Sequence, residues 1–141
     1  MNARLLLIGA ASLSVLVALL HVYVIVQGAW AYRYFGAGEK IATMAEQGSW
    51  FPALLTAGVT LVFMIFAAYY LSGASVVPAL PFLRLAMAAI AAIYTLRGIM
   101  VVAAVFMHLT PFEIGSSLAS LAIGLVHCAA LALTWSYLPA R

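Results

Sequence analysis

The sequence predicts an all-α integral membrane protein: a single domain over residues 1–141 built as an antiparallel four-helix bundle with both termini on the cytoplasmic side. Three observations carry this. Hydrophobic residues make up 68% of the 141 and charged residues only 6%, where a soluble domain has roughly 25% charged residues. Mean hydropathy is +1.21. And four apolar stretches reach the roughly 20 residues that a helix needs to cross a bilayer. Six basic and three acidic side chains are too few to clothe a water-soluble surface or to track a phosphate backbone, so an ordinary cytosolic enzyme and a nucleic-acid binder are excluded.

The first span is expected at about residues 5–27. Its apolar run is far longer than the 7–15-residue core of a signal peptide, so it reads as a retained membrane helix although Ala29-Trp30-Ala31 has a cleavage-site form. The second, at about 51–71, contains no charge. The third, at about 82–107, carries Arg84 near its start and Arg97 inside, and the fourth runs from about 114 to 138. Pro52, Pro81 and Pro111 stand at or just before span starts, where a missing amide proton matters little, and Ser72-Gly73 and Pro78 supply turn signals between spans two and three. The longest connection, residues 28–50, holds a short helix from Glu39 to Gln47 with Ile41 and Met44 on one side. A loop of this length is more often functional than slack.

Orientation follows from the basic residues near span ends. With the N-terminus inside, that side holds Arg4, Arg84 and Arg141 and no acid, and the other holds Arg33 and Lys40 against Glu39, Glu46 and Glu113. Trp30, Tyr32, Tyr34 and Trp50 would form an outer aromatic belt, and Tyr69, Tyr70, Trp135 and Tyr137 an inner one. The single cysteine, Cys128, reads as a packing residue.

Ionisable groups inside a span are costly and are functional candidates by default. His21, Arg97 and His127 stand out. Counted from Arg4, Arg84 and Arg141, they lie 17, 13 and 14 residues along their helices, or about 26, 20 and 21 Å, a similar level in the outer half. Ser117, Ser120, Gly124 and His127 share one face of span four, Tyr94 and Arg97 lie three apart on span three with His108 farther along that face, Ser14 precedes His21, and span two brings Thr56 and Thr60. A guanidinium keeps its proton and needs an anion, so Arg97 is expected to face inward toward Glu113, Glu39 or an anionic ligand.

Tyr34-Phe35-Gly36-Ala37-Gly38-Glu39, Leu71-Ser72-Gly73-Ala74, Leu80-Pro81-Phe82-Leu83-Arg84 and Tyr94-Thr95-Leu96-Arg97-Gly98 resemble small four-span bacterial inner-membrane proteins of unassigned function. The resemblance implies a location in that membrane and no activity. Known four-span families fit less well: small multidrug exporters need an acid in span one, and disulfide-generating and vitamin K epoxide reductase-like proteins need paired cysteines.

The expected function is binding rather than catalysis. An intramembrane polar pocket would take an amphipathic anionic or lipid-like ligand, with Arg97 on the anion, His21, His127, Tyr94, Ser120 and Thr60 around it and Glu39 and Glu113 at its mouth. In the alternative, His21 and His127 ligate a b-type haem in an electron-transfer or quinone-linked subunit. In a third reading the chain is an accessory subunit of a larger membrane complex. The row Ser116, Ser120, Gly124 would then be the contact face, as it would for a second copy of the chain.

Overall fold

The computed structural model describes residues 2–105 and 110–139. Met107, His108 and Arg141, which figured in the sequence reading, lie outside them. All secondary structure among the described residues is helical: α1 (Ala3–Gln27), α2 (Ala29–Tyr34), α3 (Glu39–Glu46), α4 (Phe51–Gly73), α5 (Leu83–Ile99), a 3₁₀ continuation of α5 (Met100–Val105) and α6 (Pro111–Thr134). The all-α architecture with four long apolar helices is the one expected. Four helical segments, Ala3–Gln27, Phe51–Gly73, Leu83–Val102 and Pro111–Thr134, are long and apolar enough to cross a membrane. Their apolar side chains point outward: Leu16, Leu19, Leu54, Leu61, Leu96 and Leu125 are among those more than half exposed. Such an apolar exterior suits hydrocarbon and not water.

Among the boundaries that differ from the expected ones, two do so for local reasons. α6 starts three residues earlier, because Thr110 and Glu113 form a capping box, Glu113 N–H donating to Thr110 Oγ1 (3.2 Å) and Thr110 N–H to a Glu113 carboxylate oxygen (2.7 Å), with Pro111 in the first turn. The third span stops being α-helical after Ile99 and tightens into a 3₁₀ turn, a common form of helix end.

The chain divides into two compact units, residues 14–65 and residues 1–13 with 66–141. In the first, Gly28 takes a positive φ of 69°, open to glycine at little cost, and separates α1 from α2. α2 was not foreseen within the long loop. With α3 it forms a small hairpin whose core is Val24, Ala31, Tyr32 and Ala42, flanked by Phe35, Ile41 and Ala45. Arg33 closes the hairpin. Its guanidinium donates from Nε to both Glu39 carboxylate oxygens (3.0 and 2.9 Å) and from Nη1 to Glu46 (2.5 Å).

In the second unit α5 and α6 pack as an antiparallel pair at glycines. A methyl group added at Gly98 would strike the Leu121 backbone, and one at Gly124 would come within 2.7 Å of the Thr95 nitrogen. Of the Ser116, Ser120, Gly124 row, Gly124 is covered by α5 of the same chain, while Ser116 and Ser120 stay half-buried. Tyr70 departs from expectation. It is no interfacial aromatic but fully buried, its hydroxyl donating to the carbonyl oxygens of Met87 (3.1 Å) and His127 (3.3 Å). A buried phenol needs such acceptors, and here it ties α4 to α5 and α6.

Candidate functional site

The α5–α6 pairing sets where the Arg97 charge goes. Facing pairs have a constant index sum, 98 + 121 and 95 + 124 both giving 219, so Arg97 lies across from about residue 122. Its guanidinium instead reaches Ser117 Oγ (2.7 Å) and Ser116 Oγ (3.1 Å), five to six residues nearer the start of α6, or about 8 Å along the axis. The side chain climbs toward the helix end, as a long cation in an apolar helix does when its stem stays in hydrocarbon and its head seeks the interface. Ser116 and Ser117 are the sixth and seventh residues of α6. The charge therefore sits about two turns from that end.

Close helix contact makes this possible, because Gly98 and Gly124 let α5 approach α6 until one arginine spans the gap. Ser117 is 2% exposed, whereas Arg97 itself is exposed, which corrects the expectation that it faces inward. The two carboxylates named for it have other partners. Glu39 holds Arg33 and Glu113 caps α6. Among the described residues the ion pairs are Arg33 with Glu39 and with Glu46, so Arg97 is solvated by two neutral hydroxyls and makes no contact ion pair, with Glu113 acting on it only through space.

The other candidates gather elsewhere. His127 is fully buried and lies between two tyrosine rings, Tyr70 at 4.4 Å and Tyr94 at 4.8 Å between centroids. Its Nδ1 lies 2.8 Å from the Ile123 carbonyl oxygen; a carbonyl only accepts, so Nδ1 carries the proton. Ten residues of α6, about 15 Å, separate His127 from Ser117, so Tyr94 and His127 belong to a packed aromatic core and not to the Arg97 site. Ser120 is half-buried between the two levels. In the other unit His21 Nδ1 bonds the Val17 carbonyl (2.8 Å) with its ring 5.0 Å from Phe63, and Thr60 donates to the Thr56 carbonyl (2.9 Å); both polar groups are satisfied on their own helices. Sequence reasoning missed Ser116 and Ser117 as the arginine's partners. The signal was present, since a hairpin of two helices places the residues flanking its connection opposite one another.

In the α2–α3 hairpin, the Arg33 guanidinium holds the Glu39 and Glu46 carboxyls below the usual carboxylate range, and they in turn raise Arg33. All three are at the surface, where such pairs add little stability.

No protein-family model, curated protein or solved structure matches the chain at a significant level.

Proposed function

We propose that this small integral membrane protein binds an amphipathic anionic or lipid-like molecule through Arg97. One observation carries the reading: a permanent cation on an apolar helix, exposed, drawn toward the helix end by two serine hydroxyls and in contact with no carboxylate among the described residues. A guanidinium offers five N–H donors in a planar fork suited to carboxylate or phosphate. With two amino groups bound to neutral oxygens, its remaining donors are left for an anion, whose tail would lie along the apolar exterior of α5 and α6. We assign this end to the outer side of a bacterial-type inner membrane, on the excess of arginines over acids at the other end and on the resemblance to four-span bacterial proteins.

The haem alternative needs two imidazoles at one iron. Each Nδ1 is hydrogen-bonded to a carbonyl of its own helix, which would leave ligation to Nε2, and the absorption spectrum tests that reading.

The test is native mass spectrometry and an absorption spectrum of the detergent-purified protein beside Arg97→Gln and Ser117→Ala. Wild type retains an anionic amphipath, Arg97→Gln loses it, and Ser117→Ala weakens it while the far-ultraviolet spectrum stays helical. An unchanged adduct in folded Arg97→Gln, or a Soret band with no lipid adduct, overturns the reading.

A further inference from the structure

The opposite end of the α5–α6 unit holds a second site of different construction. A hollow of about 510 Å³ is lined by Arg4, Leu7, Gly73, Ala74, Ser75 and Thr134. These residues belong to the start of α1, the end of α4 and the turn after it, and the end of α6. Three helix termini thus meet there, which places the hollow at the boundary between hydrocarbon and headgroups.

Its polar groups are set for an anion. Arg4 Nε donates to the Ala74 carbonyl oxygen (3.2 Å), a bond that anchors the guanidinium plane and leaves the two Nη groups making no further hydrogen bond among the described residues. Arg84 is fixed in the same manner at the same end of the unit, Nε donating to the Leu138 carbonyl oxygen (2.7 Å), with its guanidinium carbon 5.4 Å from the Trp135 ring centre. The chain has only three carboxylate side chains, Glu39, Glu46 and Glu113; the first two bind Arg33 and the third caps the far end of α6. Neither arginine pairs with a carboxylate among the described residues. The Thr134 hydroxyl is spent on the Ala130 carbonyl (2.7 Å), but Ser75 lines the hollow with an exposed side chain, on a residue held at φ 56°. That left-handed conformation is strained for a non-glycine residue, and glycine would fit the turn better. A serine kept under strain beside an unpaired arginine points to use of its hydroxyl.

We propose that this hollow seats the phosphate of an anionic membrane phospholipid, held by the Arg4 Nη groups and the Ser75 hydroxyl. The phosphate could in principle arrive on a lipid or free in solution. The outward-facing Leu5, 65% exposed and next to Arg4 in the chain, favours the lipid, because it offers hydrocarbon contact beside the charge. The site is independent of Arg97, which lies near the opposite end of α5.

The experiment measures phosphatidylglycerol binding to the full chain in neutral detergent by native mass spectrometry, with phosphatidylcholine as comparison and inorganic phosphate as competitor. It is run in wild-type and Arg97→Gln protein, so that a ligand at Arg97 is separated from one here. Phosphatidylglycerol is expected to bind in both, with Arg4→Gln weakening it about tenfold or more, the scale of a lost charge-assisted contact. Ser75→Gly is expected to raise the thermal midpoint while lowering phosphatidylglycerol affinity, two shifts of opposite sign that a purely structural turn residue would not give. Unchanged binding in Ser75→Gly overturns the proposal even where Arg4→Gln does not fold. Equal binding of phosphatidylcholine, or displacement of the lipid by millimolar inorganic phosphate, overturns the assignment to an anionic lipid.

Discussion

Replacing Gly124 by alanine places a methyl group 2.6 Å from Thr95 Oγ1, 2.7 Å from Thr95 N and 3.0 Å from Thr95 Cα, where ordinary contact begins at 3.4 Å. The hydroxyl cannot simply swing aside, since it donates to the Ala91 carbonyl (2.8 Å), and the nitrogen and Cα are helix backbone. α5 must therefore withdraw by about 0.7 Å at this crossing (3.4 less 2.7). Overpacking on this scale costs about 1–3 kcal/mol. Alanine also gains about 0.8–1 kcal/mol of helix propensity over glycine, which would obscure the loss if the variant were judged alone. Gly115 supplies the control: it lies on the same helix and a methyl group there meets nothing within 4 Å, so Gly115→Ala carries the propensity gain without the clash. The difference between the two variants isolates packing and is expected to be about 1–3 kcal/mol against Gly124→Ala. Denaturant-detergent unfolding of the purified protein, followed by circular dichroism, reads that difference. Stabilities equal within 0.5 kcal/mol would refute close α5–α6 contact at this glycine, and with it the geometry that carries Arg97 to Ser117.

Tyr70→Phe removes one hydroxyl shared between two carbonyl oxygens that keep other partners, so it should lose only about 1 kcal/mol, whereas Tyr70→Ala, which empties a fully buried ring site, should lose about 3–5 kcal/mol; the same unfolding assay ranks them. Thr110→Ala removes the α6 cap and should lower stability by about 1 kcal/mol, with faster amide exchange confined to the first turn of α6. Carboxyl carbon NMR of Glu39 and Glu46 should give titration midpoints below 4.5, returning toward it in Arg33→Gln. Because their folded-state values are lowered, their contribution to the α2–α3 hairpin is complete above pH 4.5 and fades as the pH falls through the depressed midpoints. Midpoints unmoved by Arg33→Gln would remove the guanidinium as the cause.

The four spans could be read from composition alone because hydrocarbon imposes one requirement, that backbone polar groups bond within the segment, and an apolar run near 20 residues meets it as a helix. Their ends were legible to within a few residues except at the end of the third span, where the α-helix stops at Ile99. The three-residue difference at the start of α6 came from a capping box at Thr110 and Glu113 that Pro111 obscured. α2 was not legible, because a single glycine, Gly28, separates it from α1 and its six residues carry no periodic pattern of their own. For the polar residues the sequence supplied a list but not a grouping. Counting from basic residues put His21, Arg97 and His127 at one depth, an estimate that follows Cα positions. The arginine side chain is about as long as the displacement at issue, and it leaves the charge about three turns of α6 away from His127.

Sequence by itself determined that this protein belongs in a bilayer, how many helices are long enough to cross it, and that Arg97 is the one charge set well inside a span, since these depend on which side chains water or hydrocarbon will accept. Only the tertiary structure decided which partners those side chains take. Glu39 went to Arg33, Glu113 to a helix cap, and Gly124 to close contact with α5. Each outcome turns on distances of a few ångströms between helices, and those are set by where glycines allow backbones to touch.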